Sequence, residues 1–265
     1  MTDILKPKPQ HNHILAALTP DVQRRLFLHL ELVPLPLRAS IYDRKSELEY
    51  VYFPTDSIVS LQCQLQDGSS TALSVVGNEG LLGINFFLTE VCEPTRGLVQ
   101  SPGYAYRLPR RRVREEFDRH CELMLLMLRY TQTIITQVSQ SAICIRHHSI
   151  KQQLCRWLLI STDRLSHPRL KMTHEFIGVM LGVRRESISE AASNLQQLGA
   201  ITYSRGLIEV VDRTKLEAMA CECYFVVKKE ADLLLAYLPQ HQVFPDTDAI
   251  PVHHLGQAGD STVIQ

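Results

Sequence analysis

The spacing of hydrophobic and polar positions changes character several times along this chain. In residues 12–32, Ile14, Leu15, Leu18, Val22, Leu26 and Leu30 recur at helical intervals. Thr19-Pro20-Asp21 reads as a helix start, with Thr19 as N-cap and Pro20 in the first position. From Val33 to Leu108 the segments are short and rich in Val, Ile, Tyr and Phe, and turns punctuate them. Strands are expected over 50–53, 57–63, 72–76, 98–100 and 104–108, with Asp67-Gly68 as a hairpin turn. Strands this short suggest an antiparallel roll or barrel. Residues 109–146 then read as helix, apolar on more than one side. One heptad-like register takes Met124, Met127, Thr131, Ile134, Val138, Ser141 and Ile145. Such a helix can pack on the roll with one face and on a second copy of the chain with another.

The remainder is helical until a final hairpin. Residues 149–161 read as an amphipathic helix with Trp157, Leu158 and Leu159 inward, followed by a linker over 163–170. Ile177, Val179, Met180 and Leu181 give the next short helix an apolar side, and Gly182 ends it. A second helix over 184–198 places Ile188, Ala191, Ala192, Leu195 and Leu198 on one face, with Arg185, Glu186, Ser189 and Ser193 opposite. Gly178 is small where the two would meet. This is the pattern of a helix-turn-helix. Gly199 stops the second helix, and residues 201–204 and 207–211 flank Arg205-Gly206 as a hairpin, the wing of a winged helix. Residues 216–238 read as a closing helix. Residues 1–11 read as a loose arm, and 239–265 as a polar, disordered tail.

Charge sharpens this picture. The whole chain is neutral, with 28 Lys and Arg against 28 Asp and Glu. Between Arg146 and Gly206, however, nine cations face four acids, a net of +5. A basic region in a neutral chain suits phosphate contact. The cluster Arg110, Arg111, Arg112 and Arg114 lies beside Glu115 and Glu116 and reads as a self-compensating solvated face. Composition is that of a globular domain pair, and no run is apolar enough to span a membrane, so the cytoplasm is the expected location. Seven cysteines are scattered without a C-x-x-C pair. Cys221 and Cys223 are a poor metal pair on a helix, so buried small hydrophobes are the default reading and no cofactor is expected. His11, His13 and His29 read as ordinary histidines, and His147-His148 as a solvated or phosphate-touching pair at the hinge. No paired catalytic carboxylates, nucleophile elbow, phosphate loop or dinucleotide glycine pattern is present, which argues against an enzyme.

The segment Leu181-Gly182-Val183-Arg184-Arg185-Glu186-Ser187-Ile188-Ser189, with Leu198-Gly199-Ala200-Ile201 and Arg205-Gly206-Leu207-Ile208 after it, resembles the Crp/Fnr family of bacterial transcription regulators. Residues 47–54 and 77–83 are similar to that family's roll segments. The resemblance spans roughly 12–212. It implies an α+β chain: a cyclic-nucleotide-binding-like antiparallel β-roll (12–118), a long dimerisation helix (119–146), and a winged helix-turn-helix with a C-terminal helix (147–238). It also implies a homodimer on double-stranded DNA, RNA polymerase as a partner of an activator, and room for an unknown small-molecule effector.

By the same resemblance Arg185, Glu186 and Ser189 fall on base-reading positions. Their chemistry agrees, since Arg bonds guanine O6 and N7 and Glu accepts from cytosine N4. Glu190 stands where the family often has arginine; it would repel phosphate or select a different base, or else is a solvated helix charge that pairs locally. Lys171, Thr173, Arg184 and Arg205 are the candidate phosphate contacts. In relatives that bind cyclic nucleotides, a roll glutamate takes the ribose and an arginine the phosphate. The corresponding residues here are Glu79 and Thr95, with Arg96 one residue late and so on the opposite strand face. The iron–sulfur cysteines are missing. A regulatory module that binds an effector but not DNA is the alternative reading.

Overall fold

The computed structural model describes residues 6–42, 48–64, 66, 70–88, 95–119, 122–165 and 167–236. The Asp67-Gly68 turn and the 239–265 tail lie outside them. Helices α1 (His13–Ala17) and α2 (Pro20–Phe27) open the fold after a short 3₁₀ turn. Asn12 caps α1, its Oδ1 accepting from Leu15 N at 3.2 Å. Pro20 does start α2, but the Thr19 side chain makes no cap; its backbone N–H donates to Glu122 Oε2 at 2.8 Å instead.

The roll is built from β1 (Glu31–Leu35), β2 (Ser40–Tyr42), β3 (Tyr50–Pro54), β4 (Ile58–Gln64), β5 (Ser70–Val76), β6 (Thr95–Ser101) and β7 (Gly103–Pro109), with α3 (Asn85–Leu88) between β5 and β6. They form one sheet in the order β1-β7-β3 and another in the order β2-β6-β4-β5, with every pairing antiparallel. The expected strands are all present. Periodicity missed β1 and β2. Both are edge strands, β1 contains Pro34, and β2 is three residues long. A proline removes a ladder donor and is tolerated only at such an edge. Val51, Phe53, Val59, Val76, Val99, Ala105 and Leu108 fill the space between the sheets.

Helix α4 (Arg110–Phe117) precedes α5 (Glu122–His147), so the single expected helix is two. The arginine cluster is compensated as read: Arg111 and Arg112 pair with Glu115, and Arg114 with Asp118. Glu116 departs from that face; it is buried and bonded by Arg25. Leu123, Leu126, Met127 and Tyr130 of α5 are buried in the roll core. The expected heptad register is therefore shifted, because Met127 points inward. Leu128, Ile135 and Ile145 carry the exposed apolar stripe.

Helix α6 (Ile150–Thr162) starts at a capping box in which Ser149 and Gln152 satisfy each other's backbone N–H groups. It is not amphipathic in its second half: residues 153–162 are all buried. The expected linker contains a strand, β8 (Arg169–Lys171). Then follow α7 (His174–Leu181), α8 (Arg185–Gln197), β9 (Ile201–Ser204), β10 (Leu207–Val210), α9 (Arg213–Met219) and α10 (Glu222–Ala236). The last two replace the single closing helix that the periodicity implied. Ile58 and Val75 of the roll pack into the same core as Leu154, Trp157, Leu158, Ile177 and Ile188, which joins the two halves of the chain.

Candidate DNA-binding surface

The turn between α7 and α8 is set by local backbone chemistry. Thr173 caps α7, its Oγ1 accepting from Phe176 N at 3.2 Å. Gly182 ends α7 at φ +67°, a left-handed conformation that a side chain would strain. A Cβ on Gly178 would stand 2.9 Å from Val183 O, so only glycine lets the turn close against α7. Ile188, Ala191, Ala192 and Leu195 anchor α8 in the core. Val179 and Leu198, expected on the apolar faces, are exposed instead. At the hairpin tip Arg205 and Gly206 take φ +49° and +77°, the paired left-handed residues of a tight hairpin turn.

This frame sets Arg184 and Arg185 at the start of α8, and Lys171, Thr173 and Arg205 at or beside the wing. Arg184 is the N-cap of α8 and Arg185 its first residue, and both are exposed. Lys171 pairs in register with Leu207, so it lies at the wing beside Arg205. Among the described residues, Arg184, Arg185, Lys171 and Arg205 make no ion pair. Their charges stand unneutralised at the positive end of the α8 dipole and on the adjoining wing. The local count of +5 overstated the surface, though. Arg156 and Arg164 are buried, and Arg169 is paired with Glu209 at 3.1 Å.

Ser189 is not free. Its Oγ lies 2.9 Å from His174 Nδ1 and donates to Arg185 O at 3.1 Å. The His174 ring stacks on Tyr203 of β9 with centroids 4.0 Å apart, tying α7, α8 and the wing together. Burial, and secondarily the Arg185 charge, lower the His174 pKa from its ordinary value. No local pattern marks this cluster in sequence, because Ser189 lies 15 residues from His174. Glu186 is exposed on the outer face of α8. Glu190 instead borders a groove with Ile150, Lys151, Ser187 and Asn194.

The roll contains a second candidate site. A cavity of about 180 Å³ lies between its sheets and α5, lined by Tyr42, Leu61, Leu82, Thr95, Ile134 and Val138 among others. Among the described residues no charged side chain lines it. Thr95 reaches it, but Glu79 and Arg96 do not. Glu79 is buried, and Arg164 Nε donates to its Oε1 at 2.6 Å, so the carboxylate is occupied by the helical half of the chain. Arg96 points to the other face, as its strand position requires, and donates to Gln62 Oε1 at 3.0 and 2.9 Å. These three residues do not form one ligand cradle.

Residues 152–219 match the profile of the Crp-like helix-turn-helix domain. This segment is a Crp-like helix-turn-helix domain. Solved structures with its fold include a Crp/Fnr-family transcriptional regulator from Eubacterium rectale, at 16% identity and TM-score 0.61, covering 79% of this chain and 98% of that one. FixK2 from Bradyrhizobium japonicum aligns at 16% identity and TM-score 0.60 over 72% of this chain and 98% of its own. TTHA1359 from Thermus thermophilus, a transcriptional regulator of the Crp/Fnr family, aligns at 16% identity and TM-score 0.57 over the same shares, 72% and 98%. No curated protein matches by sequence. Among the described residues no helix is long and apolar enough to cross a membrane.

Proposed function

We propose that this regulator binds a pseudo-palindromic operator as a homodimer, with α8 of each protomer in a major groove. The observation that carries this reading is the group of exposed, unneutralised cations Arg184, Arg185, Lys171 and Arg205 around the start of α8 and the wing. A helix N-terminus with free cations is built to meet phosphate, and the exposed side of α8 is free to enter a groove. Arg185 and Glu186 read bases. Ser189, held by His174, positions Arg185 rather than searching freely for a base. Glu190 borders the groove toward Lys151 and touches the operator edge least.

Dimerisation is assigned to α5, whose stripe of Leu128, Ile135 and Ile145 is exposed although its opposite face is packed on the roll. Two-fold symmetry then sets half-sites about one helical turn apart. An effector entering the roll cavity would touch Ile134 and Val138 and so act on α5 directly. Among the described residues the lining has no cation to offset a buried phosphate, so the reading is against a cyclic nucleotide.

Selection from random duplex DNA at fixed physiological salt tests the proposal. A two-fold symmetric site is the expected product. Sequence-blind, salt-sensitive binding in the presence and absence of cell-extract metabolites would overturn it.

A further inference from the structure

Three cysteines and a histidine converge where the long helix meets the DNA-binding half. Cys144 is near the end of α5, His148 just beyond it, Cys221 just before α10 and Cys223 in the first turn of α10. Their four ligand atoms all lie within 4.8 Å of one another. Cys144 Sγ and Cys221 Sγ are 3.6 Å apart, and Cys223 Sγ and His148 Nδ1 are 3.6 Å apart. A tetrahedral zinc ion with ordinary bond lengths requires S···S of about 3.8 Å and S···N of about 3.6 Å. Two of the six edges thus already have about the length that a zinc tetrahedron requires, and the other four are no longer than 4.8 Å.

Two neighbours complete the chemistry. His148 Nε2 lies 3.2 Å from Glu222 Oε2, the carboxylate that holds a ligating imidazole with Nδ1 free to coordinate. Arg156 is buried and makes no ion pair among the described residues, and its Nε has no hydrogen-bond partner. Its charge lies within coulombic reach of Cys144, Cys221 and Cys223. A buried guanidinium needs an anion nearby. Zinc with three thiolates and a neutral imidazole carries a net charge of −1, which is the missing partner.

We propose that Cys144, His148, Cys221 and Cys223 form a structural binding site for a thiophilic divalent cation of the zinc class. Binding releases the three thiol protons to solvent and leaves His148 neutral, with Nε2–H donating to Glu222. The ion bridges positions 77 residues apart and fastens α10 to the joint between α5 and α6. Cys144 and His148 precede the helix-turn-helix profile, which spans 152–219, and Cys221 and Cys223 follow it, so the ion would clasp that domain from both sides in sequence. Single-ion coordination fits better than an iron–sulfur cluster, since the ligand atoms enclose one small centre and one of them is a ring nitrogen.

The test uses the full chain purified under reducing conditions without chelator. Elemental analysis should give one zinc per protomer. Exchange into cobalt(II) should give a thiolate-to-metal charge-transfer band and intense tetrahedral d–d bands. Zinc should raise the melting temperature, and EDTA should reverse the rise. Cys223→Ser and His148→Gln should reduce zinc to near zero, while Cys63→Ser, outside the cluster, should keep it. Circular dichroism confirms that each variant is folded. Wild-type protein that shows no thiolate–cobalt band would overturn the proposal without reference to any variant. So would a metal-free protein carrying a Cys144–Cys221 disulfide, or folded Cys223→Ser that retains full zinc.

Discussion

Arg164 Nε stands 2.6 Å from Glu79 Oε1, with both side chains buried, and this ion pair ties the helix-turn-helix half to the roll beside the apolar contacts of Ile58 and Val75. Arg164 Nη1 also donates to Ile160 O at 2.7 Å, and Glu79 Oε2 accepts from Gly77 N at 3.1 Å. Removing one partner of a buried pair leaves an uncompensated charge, which typically costs about 3–5 kcal/mol. Arg164→Ala should therefore lower stability by about that amount in denaturant titration. Arg164→Met with Glu79→Leu should recover most of the loss. A single Arg164→Ala change costing under about 1 kcal/mol would mean that the pair is solvated in the working protein.

Base reading and phosphate contact separate experimentally. Arg185→Ala should lose about 1–3 kcal/mol on the selected operator and relax specificity at one position of each half-site. Lys171→Ala should weaken all sequences alike and reduce the salt slope by about one. Competition titrations across a salt series read both. An Arg185→Ala protein with unchanged operator preference would remove Arg185 from the base contacts.

His174 gives a pH dependence with a definite sign. Its folded pKa lies below its ordinary value of 6.5, so between the two values the unfolded chain binds more protons. The His174 contribution to stability is complete above pH 6.5 and is lost as pH falls toward the folded value. The melting temperature should therefore drop below pH 6.5, and His174→Gln should flatten part of that slope. His13 adds to the slope in the same direction, since burial lowers its pKa against the opposing charge of Glu79. A slope unchanged by His174→Gln would show that the ring is solvated.

Ile135 tests the assembly. It is 53% exposed on a helix whose other face lies in the roll core. Ile135→Asp should give a monomer in sedimentation while leaving the melting temperature of the protomer nearly intact. Operator affinity should fall steeply, because two half-sites no longer act together. A dimer that persists would place the interface elsewhere.

The helix-turn-helix and wing were legible in the sequence because their determinants are local. Helical spacing of Ile188, Ala191, Ala192 and Leu195 fixed the buried face of α8. Gly182, and Arg205 with Gly206, mark turns by backbone conformation alone. The same two-residue strand period correctly turned Arg96 away from the roll cavity. What the tertiary structure decided is non-local. The edge strands β1 and β2 carry too little alternation to stand out and exist because neighbouring strands pair with them. Met127 faces the roll, not a second copy, because α5 is rotated by its packing against the sheets. Glu79 is claimed by Arg164 across 85 residues, and Ser189 by His174. Cys144, Cys155, Cys221 and Cys223 are buried, as read from the sequence, but their meeting was not legible, because Cys221 lies outside α10 and its sulfur turns toward Cys144 across 77 residues. Periodicity reports which side of an element is apolar; only the packing of distant elements decides which polar groups meet.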